Sequence, residues 1–194
     1  MTRELMDYFS TGIVSSPKKI VDELLCVGID EIKKAVLATP QQTVTNHNIP
    51  QYSSFMNGTS EMLKYLRMSG DYGPSFIEIG EHYLESGHKA TAYIKYGENH
   101  AKLAELLGIV VIKKSDKKRV FLSDIGREIE KLDSEKQEEC YIKLAFRIPI
   151  VQEAIRLNIS SAKELEVHLN TYLSPVTAVR RRKNTWSLIE KVRE

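Results

Sequence analysis

The sequence predicts a mainly α-helical protein that carries one small β-hairpin. Over most of the chain, apolar residues recur every three or four positions between glycine and proline breaks, which is the spacing of amphipathic helices. This period changes once, because the β-branched residues 109–112, a polar turn and the apolar residues 120–122 are typical of two paired strands. No apolar run approaches the roughly 20 residues of a membrane-spanning helix. The first residues also lack a secretory signal, so we expect a cytoplasmic protein.

Length and composition predict one or two globular domains without a cofactor. The chain has 194 residues, of which 42% are hydrophobic and 28% charged, and this balance excludes a disordered chain. Neither Cys26 nor Cys140 has a neighbouring cysteine or histidine at zinc-ligand spacing, so we expect two buried free thiols and no metal site.

Residues 1–58 are predicted to form an N-terminal helical arm and a linker. Ser16 and Pro17 can begin a helix that Gly28 ends. A second helix is expected from Asp30 until Pro40 ends it. Residues 41–58 are polar and carry a proline and a glycine, so we interpret them as the linker.

Residues 59–133 are predicted to form a winged-helix domain. Ser60 and Ser75 are expected to cap two short helices, and Gly108 to end a longer helix over 90–107. The hairpin follows, and then a helix capped by Ser123. The order of helix, helix, longer helix, hairpin and helix is accounted for by one winged-helix domain, in which the hairpin is the wing.

Residues 134–194 are predicted to form a second, helix-turn-helix domain. Two helices flank Pro149, and Ser160 and Ser161 begin a short helix that ends near Leu169. A tight turn leads to a final helix that begins at residues 174–175. Its inward side is expected to carry Val176, Val179, Trp186, Ile189 and Val192. A short helix, a tight turn and a longer basic helix are typical of helix-turn-helix proteins.

Three segments resemble parts of known DNA-binding modules. Residues 96–110, YGENHAKLAELLGIV, resemble the helix-to-wing junction of winged-helix proteins, and residues 122–128, LSDIGRE, are similar to the Leu-Thr-x-x-Gly-Arg helix start that often follows a wing. Residues 173–186, LSPVTAVRRRKNTW, resemble recognition helices found beside restriction and phage-defence enzymes. In those helices the pattern is Arg-Arg-x-x-Thr-x-x-x-Trp, whereas here Trp186 directly follows Thr185. The resemblance implies a DNA-recognition module of a restriction-modification or defence protein.

Two basic clusters predict where such modules would contact DNA. On a chain of net charge +2, residues 113–119 carry five basic residues against one acid, and residues 180–183 are all basic. Recognition helices need cations for phosphates and planar donors for base edges. We therefore expect the DNA-binding residues to be Lys89, Thr91, Tyr93, Lys95, Lys113, Lys114, Lys117, Lys118, Arg119, Thr177, Arg180, Arg181, Lys183 and Asn184.

The sequence offers no catalytic residue. It has no phosphate-binding glycine loop, no HExxH and no Gly-x-Ser-x-Gly. Asp22 with Glu31 and Lys33 is similar to a magnesium-binding pattern of nucleases, but that chemistry needs a strand where a helix is predicted, so we attribute it to chance. The five histidines show no metal spacing and are expected to lie on the surface or to face DNA.

Several interpretations stay open at this level. A winged helix needs a hairpin after its recognition helix, and the chain stops as the final helix finishes. The second domain is therefore either a wingless helix-turn-helix or part of a longer protein, whose C-terminal portion could hold a nuclease domain. Double-stranded DNA is the expected partner, beside a second copy of the chain or a nuclease subunit. The alternatives are a dimeric transcriptional regulator and, more weakly, a winged-helix module for protein–protein contacts.

Overall fold

The computed structural model describes residues 1–12, 14–52, 55–114 and 117–193. It is mainly helical and contains one small antiparallel sheet of two strands, which confirms the predicted fold class at this level. Within the described residues, no helix has the length and apolar character that a membrane crossing requires.

The chain divides into two compact units. Residues 52–138 form the first, which we call the central unit, and residues 1–51 with 139–194 form the second, which we call the two-segment unit. This division differs from the predicted one, because residues 1–51 are not an arm apart from the C-terminal helices but share a core with them.

The central unit contains four helices, a short 3₁₀ turn and the hairpin within its described residues. In chain order they are α4 (Met56–Ser69), the turn Gly70–Tyr72, α5 (Phe76–Tyr83), α6 (Ala90–Leu107), β1 (Val110–Lys114), β2 (Lys118–Leu122) and α7 (Asp124–Glu130). Helix α8 (Ser134–Leu144) begins in this unit and continues into the other one. An isolated bridge between Ser75 and Arg119 adds one further strand-like position beside β2.

The helix ends of the central unit follow their predicted caps with one exception. Ser75 and Glu78 form a capping box, Ser123 Oγ accepts from the Gly126 amide at 3.0 Å, and Gly108 ends α6 at φ 80°. The prediction that Ser60 caps α4 is wrong. The helix begins at Met56, inside the predicted linker, because the apolar Phe55 packs into the core and its carbonyl accepts the first intrahelical bond, from the Thr59 amide.

Two glycines let backbones of the central unit touch. A Cβ at Gly97 would lie 2.0 Å from the carbonyl oxygen of Phe76, and one at Gly126 would lie 1.9 Å from that of Ile109. No side chain fits at such distances, so α5 packs on α6, and α7 on the chain before β1, through direct backbone contact.

The two-segment unit is helical throughout its regular elements. Its first segment contains α1 (Arg3–Thr11), α2 (Pro17–Cys26) and α3 (Ile29–Ala38). Its second segment contains the end of α8, the 3₁₀ turn Ala145–Arg147, α9 (Pro149–Arg156), α10 (Ala162–Leu169) and α11 (Pro175–Lys191). The helices predicted around Pro17, Asp30, Pro149, Ser161 and Pro175 are confirmed.

Helix α1 was not predicted, although its signals are present in the sequence. Thr2 accepts from the Leu5 amide as the N-cap, and Gly12 ends the helix in the left-handed conformation. Leu5, Tyr8 and Phe9 are its buried face. Cys26 also differs from expectation, because it is exposed, whereas Cys140 is buried as predicted.

Cationic side chains join the two segments by donating to backbone carbonyls. Arg156 donates to the carbonyl oxygens of Leu37 at 2.8 Å and of Val36 and Thr39 at 2.7 Å, which satisfies the last turn of α3. Lys143, buried on α8, donates to the carbonyl oxygen of Leu24 at 2.6 Å. A charged donor in each contact supplies what the ends of the N-terminal helices lack.

Candidate nucleic-acid interface

The hairpin places like charges opposite one another. In its register Lys113 pairs with Arg119 and Lys114 with Lys118. Side chains that face each other across an antiparallel pair lie about 4.5–5.5 Å apart at Cβ, and like charges there destabilise the sheet. Ser115 and Asp116, which belong to the predicted wing, lie outside the described residues.

The register follows from the apolar half of the hairpin. Val110, Val120 and Leu122 are buried, and Val110 pairs with Leu122. A shift of one residue would turn these side chains toward solvent, so burial fixes the pairing. The cations are therefore held together at the open end of the hairpin.

Two of these lysines lie over aromatic rings. The Nζ atom of Lys113 is 4.9 Å from the ring centroid of Phe121, and that of Lys118 is 5.8 Å from the centroid of Phe76. Lys113, Lys114, Lys117 and Lys118 are all exposed. Lys113, Lys114 and Lys118 form no ion pair with any residue that the structure describes.

Arg119 is used inside the central unit, unlike the four lysines. Its Nη1 donates to the carbonyl oxygen of Gly73 at 3.0 Å, and its guanidinium lies 4.8 Å from the ring centroid of Tyr72. It is half-buried. Its expected role as a DNA contact is therefore corrected to one that holds the 3₁₀ turn against β2.

The N-terminal end of α6 presents three of the predicted residues and buries one. Lys89, Thr91 and Lys95 are exposed, and Lys95 pairs with Glu98 at 3.2 Å. Tyr93 is only 9% exposed, and its hydroxyl donates to the carbonyl oxygen of Glu85 at 3.0 Å. The prediction that Tyr93 faces a ligand is thus corrected, since both its ring and its hydroxyl are committed to the core of the unit.

The histidine expectation also fails at one position of α6. His100 is 4% exposed and its ring lies against Tyr83 and Tyr96. Burial lowers the pKa of His100 from 6.5 to about 4, so the imidazole is neutral at pH 7. It is a core residue.

Helix α11 divides the basic run 180–183 between its faces. Arg180 and Lys183 are exposed and make no ion pair among the described residues. Arg182, which was not a predicted site residue, pairs with Glu166 of α10. Successive helical residues point about 100° apart, so consecutive cations cannot share one face.

Arg181 is a tie between segments. Its Nη1 donates to the carbonyl oxygens of Asn46 at 2.8 Å and Ile49 at 2.7 Å. Burial, followed by the nearby charge of Arg180, lowers the pKa of Arg181 from its ordinary value. The residue stays charged, and its expected role in DNA binding is corrected to a structural one.

The remaining predicted residues of α11 are half-buried. Thr177 Oγ1 accepts from the Ser174 hydroxyl at 3.0 Å, so it takes part in the start of the helix. Asn184 lies between the exposed and the buried face. Of the predicted set on this helix, only Arg180 and Lys183 are fully exposed.

Two valines of α11 face outward against expectation. Val176 is 81% exposed and Val179 is 50% exposed. The buried positions are instead Ala178, Thr185, Leu188 and Ile189. Taking those four as the inward stripe would have found the valines, because they lie on the opposite side of the helical wheel.

A buried carboxylate organises the turn before α11. Glu153 is 8% exposed and accepts from Tyr172 Oη and from Gln41 Nε2, each at 2.8 Å, while His168 Nε2 lies 2.8 Å from it. Burial, and then the bond to Glu153, raises the pKa of Tyr172. The expectation that Tyr172 packs in the turn is confirmed.

Comparison with known proteins yields no assignment. No family model matches the chain, and searches of curated proteins and of solved structures find no significant match. No group of three or more His, Cys, Asp or Glu side chains within the described ranges could hold a metal ion.

Proposed function

We propose that this protein binds duplex DNA, with the central unit acting as a winged-helix module and α10 with α11 acting as a helix-turn-helix. The observation that carries the proposal is the like-charge register of the hairpin. Lys113 faces Arg119 and Lys114 faces Lys118, so the free hairpin bears a repulsion that an anionic partner would relieve. Duplex DNA presents one negative charge per about 1.7 Å of its axis and suits such a cluster.

The element order supports the winged-helix part of the proposal. Helices α4, α5 and α6 are followed by the hairpin, and the bridge between Ser75 and Arg119 adds a strand-like position before α5. In this arrangement α6 would enter the major groove, and its exposed Lys89, Thr91 and Lys95 would lie toward DNA. The hairpin lysines would then contact the neighbouring backbone.

Helix α11 supports the helix-turn-helix part. It follows the short helix α10 after residues 170–174, and its sequence up to residue 189 contains no acid. Arg180 and Lys183 are exposed cations without ion-pair partners in the described part of the chain. The association with a restriction or phage-defence system comes from the resemblance of residues 173–186 alone and stays a prediction.

The test is a salt-series titration of random-sequence duplex DNA with the full chain. We expect binding that weakens steeply with salt, because phosphate contacts release counterions. In Lys114→Ala/Lys118→Ala, the slope of log K against log salt is expected to fall by about 0.9 for each phosphate that the variant no longer binds.

The matched control is Lys18→Ala/Lys34→Ala, which removes the same charge from exposed positions of α2 and α3. It should leave the slope unchanged. No retention of DNA at low salt would contradict the proposal. Equal weakening by both double variants would show that overall charge, and not the hairpin, governs the affinity.

A further inference from the structure

Four exposed residues form one stripe on α11. Val176, Val179, Arg180 and Lys183 follow the spacing i, i+3, i+4, i+7, which places them on a single face of the helix. The opposite face is the buried one. The outward face therefore begins with two aliphatic side chains in its first turns and continues with two cations.

The exposed valines are unusual in their company more than in their number. Single apolar residues are common on protein surfaces. Here Val176 and Val179 are adjacent on one face, 81% and 50% exposed, and directly beside cations that have no ion-pair partner among the described residues. A partner for this face must offer apolar groups beside negative charge.

A second copy of the chain fits this face poorly. A two-fold contact between α11 helices would bring Arg180 and Lys183 of both copies to the same place. No acid lies on α11 before Glu190 to neutralise them. The charge favours an anionic partner instead.

The major groove of DNA offers the matching combination. Its base edges present hydrogen-bonding groups and one apolar group, the 5-methyl of a pyrimidine, which side chains recognise by apolar contact. The phosphates that flank the groove attract cations. The N-terminal residues of a recognition helix are those that reach base edges, which is where Val176 and Val179 lie.

We propose that Val176 and Val179 recognise 5-methyl groups of pyrimidines in the major groove, while Arg180 and Lys183 contact the flanking backbone. This inference rests on the proposed function. The methyl group belongs to thymine or to 5-methylcytosine, and the two sources share the chemistry that the valines would read.

The experiment compares duplexes that differ only in methyl groups. The full chain selects a sequence from a random duplex pool, and that duplex is remade with uracil in place of thymine. We expect affinity to fall about fourfold for each methyl group that is contacted, the equivalent of one buried methylene. A parallel selection uses a pool with uracil for thymine and 5-methylcytosine for cytosine, remade with cytosine, and identifies the source.

Variants assign the effect to the two side chains. In Val176→Ala/Val179→Ala the affinity ratio between methylated and unmethylated duplexes should fall toward one, with the salt slope unchanged. In Arg180→Ala the ratio should persist while the slope falls. The control is Val167→Ala, which shortens an exposed valine of α10 and should preserve both.

The outcomes separate this inference from the proposed function. Equal affinity for the thymine and uracil duplexes and for the two cytosine duplexes, with salt-dependent binding retained, would overturn the methyl readout alone. Absence of binding to every duplex would overturn the proposed function itself. A ratio that persists in the double valine variant would move the methyl contact to another part of the chain.

Discussion

The two units of this protein use their basic residues in different ways. In the central unit the hairpin lysines stay exposed, and Arg119 alone among the predicted hairpin residues is committed to an internal hydrogen bond. In the two-segment unit Arg156 and Arg181 donate to carbonyls of the N-terminal segment. The central unit leaves cations for a partner, whereas the two-segment unit uses many of them to hold itself together.

The difference has its origin in how each unit is built. The central unit is one continuous stretch whose helices pack backbone against backbone at Gly97 and Gly126. The other unit joins two stretches that are distant in sequence, and its N-terminal helices end in carbonyls that need donors. Arginine supplies several donors from one side chain. A basic run in a sequence is therefore not yet a basic surface.

The largest effect is expected from Gly97→Ala. The new Cβ would overlap the carbonyl oxygen of Phe76, so α5 and α6 must separate. We expect the free energy of unfolding to fall by about 3 kcal/mol or more, at or above the upper range of overpacked cores. Chemical denaturation followed by circular dichroism measures it.

The control for that substitution is Gly28→Ala, where no heavy atom lies within 4 Å of the added Cβ. The free energy of unfolding should change there by less than about 1 kcal/mol. Equal effects at Gly28 and Gly97 would show that the close backbone packing does not distinguish the central unit.

An intermediate effect is expected from two neighbouring arginines of α11. Arg181→Ala removes the donor to the carbonyls of Asn46 and Ile49, so the free energy of unfolding should fall by about 1.5–3 kcal/mol. Arg180→Ala should change it by less than about 0.5 kcal/mol and should weaken DNA binding instead, by about 1–3 kcal/mol for a base contact. Thermal unfolding and DNA titration on both variants separate the roles. Reversed roles would refute the division of this run.

The smallest effect is expected at the hairpin, where stability and affinity should move in opposite directions. Lys114→Glu replaces a like-charge pair with an attractive one opposite Lys118, which should stabilise the protein by about 0.2–1 kcal/mol. The same change should weaken DNA binding. Lys64→Glu makes the same charge change on an exposed position of α4 and should not raise stability. If Lys114→Glu stabilised the protein while affinity stayed the same, the hairpin would not be a DNA contact.

Much of the local structure was predictable from the sequence. The bounds of α6, the caps at Ser75 and Ser123 and the hairpin were all confirmed, because each depends on residues within a few positions of one another. The start of α4 was not, since Gly58 in a polar stretch is a linker signal that the burial of Phe55 overrides. Local propensity yields there to packing.

The candidate interface was predictable only in part. The lysines of residues 113–118 are exposed, as a charged hairpin end implies. Tyr93, Arg119 and Arg181 were expected to face DNA but bind backbone carbonyls of their own chain. A polar side chain at a helix start or in a basic run carries no sign in the sequence of whether a carbonyl will lie within its reach.

By itself the sequence determined the elements, their caps and their order, because periodicity, turns and capping act between near neighbours. Only the tertiary structure decided that residues 1–51 share a core with residues 139–194, and which cations remain exposed. The bond from Arg181 to the Asn46 carbonyl joins residues 135 positions apart. Contacts at that separation form only when the whole unit has closed, and no local pattern encodes them.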